Sequence, residues 1–134
     1  MDYMTFRDLS QSIVDFLSAH LSVPVDHGKY GDLPQQAPAV LVYAEPMERL
    51  YTTISGPLYR KAEITIFAVA GGSSAPHLAK FDAIELAEQI EYWMMQSDLH
   101  IDWDEQPLRF DAVYSDIAIA YVTFKADYKA HFEQ

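Results

Sequence analysis

The feature that most constrains the fold of this chain is the alternation in residues 117–132. Every even-numbered position there is apolar, while the odd-numbered positions become polar from Thr123 onward. A period of two predicts a β-strand with one buried face. Such a strand would extend about 50 Å at 3.3 Å per residue. A domain of 134 residues is only about 35 Å across. We therefore expect the strand either to bend sharply or to overhang its own core and pair with a neighbour.

Length and composition indicate one ordered domain that spans residues 1–134. The chain is long enough for one hydrophobic core, and 50% of its residues are hydrophobic. No apolar run reaches the length needed to cross a membrane, and Met1–Met4 shows no basic start of a secretory signal. The absence of cysteine excludes disulfides, thiolate nucleophiles and cysteine-based zinc sites. These features favour a cytoplasmic protein.

The charge balance argues against nucleic-acid binding. Twenty acidic residues stand against nine basic ones, which gives a net charge of −11. Affinity for nucleic acid comes mostly from Lys and Arg at phosphates, and Arg60-Lys61 is the only adjacent basic pair here. An acidic surface can instead keep the protein soluble, repel DNA or attract a basic partner.

The first half of the chain predicts a helix followed by strands. Thr5 can cap a helix whose apolar residues recur at helical spacing from Phe6 to Leu21, ahead of Pro24. Residues 24–38 contain three prolines and two glycines and indicate a long loop or edge segment. Three strands are predicted next, over Ala39 to Glu45, Leu50 to Ser55 and Tyr59 to Ala70.

The second half repeats this order. Pro76 opens a predicted helix that continues to Gln96, with an apolar stripe that includes Leu78, Phe81, Ile84, Leu86, Ala87, Ile90, Trp93 and Met94. Strands are predicted over Leu99 to Trp103 and Leu108 to Tyr114, before the long strand of residues 117–132. The expected fold class is α+β, with two amphipathic helices packed on a mainly antiparallel sheet that has two long strands.

No local motif predicts a reaction. The Gly71-Gly72-Ser73-Ser74 loop precedes a helix, as in phosphate sites, but has neither the Walker lysine nor the dinucleotide spacing. Asp102 and Asp104 would share a strand face and could bind a hard cation, although no glycine provides a calcium-loop turn. We interpret the first as a turn with a cap and the second as a solvated loop.

Other residue types that often carry catalysis are equally uninformative. The histidines are never spaced to place two imidazoles on one helix face, and Ser55-Gly56 does not form a nucleophile elbow. Among the histidines, His27 has the least obvious structural role. We predict no enzymatic activity, no cofactor and no metal.

In the order of its elements, the chain resembles the tail-terminator and tail-completion proteins of long-tailed phages, including Mu-like prophages. Four segments carry the resemblance: the helix from Phe6 to Leu21, the strand from Tyr59 to Ala70, the helix from Pro76 to Gln96 and the strand from Ile117 to Phe132. The resemblance implies a structural subunit that forms a ring, commonly of six. Such a ring caps the tail tube and docks to the head-completion complex, so the implied partners are other copies, tail-tube proteins and head-completion proteins.

The long last strand and the acidic balance provide two sets of candidate residues. We expect self-association through the distal half of the last strand, and an acidic channel that would let DNA slide without sticking. The interface candidates are Tyr59, Phe67, Phe124, Tyr128 and Phe132, with Tyr128 and Phe132 as anchors. The channel candidates are Asp82, Glu85, Glu88, Asp102, Asp104 and Glu105. The alternatives are a small cytoplasmic protein-interaction domain without catalysis, or a small hydrolase or metal-dependent enzyme at the acidic segment from Asp98 to Glu105.

Overall fold

The computed structural model describes residues 4–28, 37–52, 58–71, 76–114 and 117–129. Its elements in chain order are α1 (Phe6–His20), β1 (Val25–His27), β2 (Ala39–Thr52), β3 (Leu58–Gly71), α2 (Pro76–Met95), β4 (Ile101–Tyr114) and β5 (Ile117–Lys129). The strands form one five-stranded sheet in the order β1-β2-β3-β5-β4. β1 runs parallel to β2, and the other pairs are antiparallel. The predicted α+β class is confirmed.

Both helices pack on one face of the sheet, where a single hydrophobic cluster joins them to the strands. α1 starts at the predicted cap, since Thr5 Oγ1 accepts a hydrogen bond from the Asp8 amide at 3.3 Å. It contributes its buried stripe of Leu9, Ile13, Val14 and Leu17. The strands contribute alternate residues, among them the even-numbered positions of β5. The predicted period of two therefore identified the buried face of β5.

In two places, two consecutive predicted strands form one continuous strand in the structure. The segments around Pro46 form one β2 of 14 residues, and those around Pro107 form one β4 of 14 residues. Register shifts occur between Pro46 and Arg49 and between Trp103 and Leu108. Proline has no backbone N–H, so a strand tolerates it where no neighbouring strand would accept a hydrogen bond from that position. β4 is an edge strand, and β1 pairs with β2 only as far as Val42, so both prolines occupy such positions in the described sheet.

The face that α2 turns to the sheet differs in part from the prediction. Leu78 and Phe81, expected in the core, are 47% and 54% exposed, whereas Ala79 and Ala83 are buried. The sheet positions in the same cluster include several alanines, namely Ala62, Ala68, Ala70, Ala118, Ala120 and Ala126. Small side chains on both surfaces let the helix approach the sheet closely, and this leaves no room for leucine and phenylalanine at its N-terminal end.

Candidate functional site

Two of the predicted interface residues belong to the core of the subunit itself. Phe124 is 0% exposed and Tyr128 is 4% exposed. The ring of Phe124 packs on Trp103 with centroids 5.1 Å apart, and that of Tyr128 packs on Phe6 at 5.3 Å. Their assignment to a subunit interface was therefore wrong. The physical reason is that the helices cover the apolar face of β5 along its described length.

The backbone of the distal half of β5 is also used within the subunit. β5 lies between β3 and β4, and its register with β3 extends to the pair Tyr59 and Lys129. Beyond the end of β4, the Asp127 amide donates to the His100 carbonyl at 3.3 Å and the Lys129 amide donates to the Met4 carbonyl at 2.7 Å. The distal half of β5, as far as Lys129, thus has backbone neighbours on both sides. Phe132, the other predicted anchor, lies outside the described residues.

The second face of the sheet carries no helix of the described chain, and part of it is aromatic. We call Tyr43, Phe67 and Tyr121 the aromatic ladder, since they lie side by side on β2, β3 and β5. Ring centroids are 5.5 Å apart for Tyr43 and Phe67 and 5.8 Å apart for Phe67 and Tyr121. All three side chains are half-buried. Phe67 therefore remains a surface candidate, as does the half-buried Tyr59 at the far end of β3.

The other end of this second face is charged. Glu45, Glu63, Lys125 and Asp102 lie opposite one another across four strands. Lys61 Nζ forms an ion pair with Asp102 Oδ2 at 2.9 Å. The hydrogen bond from Lys61 lowers the pKa of Asp102, and the same bond raises the pKa of Lys61. Asp102, proposed above as a channel or cation residue, is thus held as a carboxylate by a neighbouring lysine.

The channel candidates do not form one surface. Asp82, Glu85 and Glu88 are exposed on α2, in the helical layer. Asp102 pairs with Lys61 on the opposite face of the sheet, and Asp104 and Glu105 are exposed further along edge strand β4. The sheet separates the α2 carboxylates from Asp102, so the channel candidates lie in two separate acidic regions of the subunit.

The exposed face of α2 combines apolar and acidic residues in a way that the prediction missed. We call Leu78, Phe81, Glu85, Glu88, Tyr92 and Met95 the α2 stripe. Spacings of three and four residues place all six on one side of the helix. Tyr92 and Met95 are 54% and 58% exposed, comparable to Leu78 and Phe81. The spacing was visible in the sequence, but the burial of Ala79 and Ala83 was needed to show which side faces out.

A cleft of about 440 Å³ lies between α1 and the strands β1 and β2. Its lining comprises Phe6, Arg7, Ser10, Gln11, His27, Gly28, Val42, Tyr43 and Ala44. His27 Nε2 hydrogen-bonds Gln11 Oε1 at 3.2 Å, which accounts for this histidine. Ser10 Oγ donates to the Phe6 carbonyl at 3.0 Å, so its hydroxyl is engaged by the helix backbone rather than by a base. These described side chains provide hydrogen-bonding groups but not a paired nucleophile and base.

Gly28 is required for the packing of Tyr43 at the edge of this cleft. The Gly28 amide donates to the Val42 carbonyl at 2.9 Å, next to the Tyr43 ring. A Cβ at position 28 would lie 2.7 Å from Tyr43 Cδ2 and closer still to Cε2. Because the ring also packs edge-on against Phe67, it has little freedom to move away.

Gly28→Ala is therefore expected to lower the free energy of unfolding by about 1–3 kcal/mol through overpacking. Urea denaturation followed by tryptophan fluorescence measures the change. The double variant Gly28→Ala/Tyr43→Ala should lose less than the sum of its two single variants, because removal of the ring makes room for the new methyl group. Simple additivity would show that the two positions are not in steric contact.

No family model matches the chain, and no curated protein matches it.

Within the described residues, no group of three or more His, Asp or Glu side chains is placed to hold a metal ion. No described helix is both long enough and apolar enough to span a membrane.

Proposed function

We propose that the chain is a structural subunit of a phage-type tail. In this proposal, copies assemble in the cytoplasm into a ring that caps the tail tube and docks to the head-completion complex. The observation that carries the proposal is that both edges of the sheet have strand backbone without a described partner. β4 is an edge strand along its 14 residues, and β2 has no described partner on its outer side beyond Val42.

The positions of these two edges favour a closed assembly. They lie at opposite ends of one sheet, so a contact between β4 of one copy and β2 of the next is head-to-tail. Head-to-tail contacts produce rings when the rotation between copies closes. Pro46 and Pro107, each beside a register shift, interrupt both edges and limit any shared ladder to short segments. Such interruptions oppose the open-ended strand pairing that leads to fibres.

The charge distribution supports a role beside DNA without binding to it. The net charge is −11, and exposed carboxylates lie on both α2 and β4. A polyanion that passes such surfaces is repelled rather than retained. The two acidic regions lie on different sides of the subunit, so only one of them would face a channel.

The native mass tests the proposal. The chain has a mass of 15.3 kDa, and light scattering after gel filtration should give a single integer multiple of it above a dimer. Phe67→Ala provides a second measurement. A lower mass in that variant would assign the aromatic ladder to the contact, whereas an unchanged mass would exclude the ladder from it. A monomer or dimer at all concentrations would exclude the ring.

A small protein-interaction domain without catalysis is the second candidate, and the exposed apolar residues of the α2 stripe favour it. The same mass measurement separates the two, since such a domain would be monomeric or dimeric.

A further inference from the structure

The α2 stripe is symmetric about its centre. Leu78 and Phe81 form an apolar pair at one end, Tyr92 and Met95 form a second pair at the other, and Glu85 and Glu88 lie between them. The four apolar side chains are 47%, 54%, 54% and 58% exposed in chain order. Seventeen residue steps of about 1.5 Å separate Leu78 from Met95, so the stripe is about 25 Å long. It is long enough for another helix to lie along it.

The apolar side chains of the stripe remain about half exposed, although two of them contact neighbouring rings. His77 packs edge-on against Phe81 with centroids 6.0 Å apart, and Tyr92 packs against Trp93 at 5.1 Å. Lys80, the cation closest in sequence to the stripe's first apolar pair, points away to the Phe110 ring, with Nζ 4.9 Å from its centroid. Among the described residues, neither Glu85 nor Glu88 has a cation within ion-pair distance. The centre of the stripe therefore carries two uncompensated negative charges between two apolar ends.

A second copy of the chain is a poor occupant for this surface. If two α2 helices pack antiparallel, Leu78 meets Met95 of the other copy and Phe81 meets Tyr92, which would bury the apolar ends well. The same alignment places Glu85 against Glu88 on both sides of the twofold axis. A parallel alignment places each glutamate against itself. Like charges at an interface core disfavour the wrong partner strongly. The pattern thus combines apolar attraction with a charge that rejects self-pairing.

We propose that the α2 stripe is a docking surface for an amphipathic helix of another protein with the pattern apolar, basic, apolar. The apolar ends of the partner would cover the two exposed pairs, and a central Lys or Arg would compensate Glu85 and Glu88. The proposal goes beyond the tail function and does not depend on ring formation.

The chain itself can supply a partner of this chemistry. The variant Glu85→Lys/Glu88→Lys has an apolar, basic, apolar stripe, and its changes are on exposed positions that should not disturb the fold. Sedimentation velocity should show that the wild type and this variant, mixed at equal concentration, form particles heavier than either protein alone. Phe81→Ala in the wild-type chain should weaken the mixed association by roughly tenfold, as expected for an aromatic anchor at an interface core.

A matched control removes general charge attraction as an explanation. Glu45→Lys/Glu63→Lys makes the same change of charge on the sheet face, away from α2, and should not associate with the wild type. Equal association by this control would overturn the proposal, as would no association of the α2 variant. Self-association of the wild type that is lost on Phe81→Ala would also overturn it, because the occupant would then be a second copy.

Discussion

Phe124→Ala is expected to lower the free energy of unfolding by about 3–5 kcal/mol, the usual cost of removing a fully buried aromatic side chain. Phe124 is 0% exposed, packs against the tilted ring of Trp103 and lies between Ile64 and Trp103 in the sheet register. The alanine leaves a cavity that the surrounding structure closes only in part, since β5 is held between β3 and β4 and its apolar face is covered by the helices. A domain of this size is stable by only about 5–15 kcal/mol, so the loss is a large fraction of the total.

The matched control is Phe67→Ala, the same substitution on the other face of the same sheet. Phe67 is half-buried, and we expect a loss of about 1 kcal/mol. Urea unfolding followed by tryptophan fluorescence compares the two variants. Equal losses, or a larger loss for Phe67, would contradict the placement of Phe124 in the core of the subunit and restore it as an interface residue.

Tyr128→Ala is also expected to cost about 3–5 kcal/mol. Tyr128 is 4% exposed, and its ring packs against Phe6 at the start of α1. The loss should appear at protein concentrations where the chain is monomeric, because these contacts lie within one subunit. A stable variant that has only lost self-association would instead support the original interpretation of Tyr128 as an interface anchor.

The hydroxyl of Tyr128 also predicts a dependence on pH. Burial raises the pKa of Tyr128 above the ordinary value of 10.0, and the nearby Arg60 offsets part of that rise. The folded state therefore holds the phenolic proton more tightly than the unfolded state. Stability from this group is complete below pH 10.0 and is lost as the pH rises above it toward the raised pKa.

Tyr128→Phe keeps the ring and removes the titrating proton, so it should flatten the part of the alkaline decline that Tyr128 causes. The measurement is the urea midpoint of both proteins at several pH values from neutral to alkaline. An identical alkaline decline in wild type and variant would show that other groups cause it and that the Tyr128 hydroxyl is accessible to water in the folded state.

The sequence by itself determined the helices, the class of the fold and the side of β5 that faces the core. Thr5 marks the start of α1, and the alternation from Ala118 to Tyr128 identifies the buried face of β5. These features are local, because the capping residue and the period of two act on consecutive residues through backbone geometry alone. They could be interpreted correctly without knowing what packs against them.

Only the tertiary structure decided which strands are neighbours and which helix face is exposed. Periodicity shows that Phe124 and Tyr128 belong to an apolar face, but it cannot show whether a helix of the same chain or another subunit covers it. The packing of α1 and α2 on this face settles the question for the described residues. The tertiary structure also decided that Ala79 and Ala83 of α2 are buried while Leu78 and Phe81 are exposed. Close approach to an alanine-rich sheet depends on the volumes of both surfaces, and these are brought together only when the chain folds.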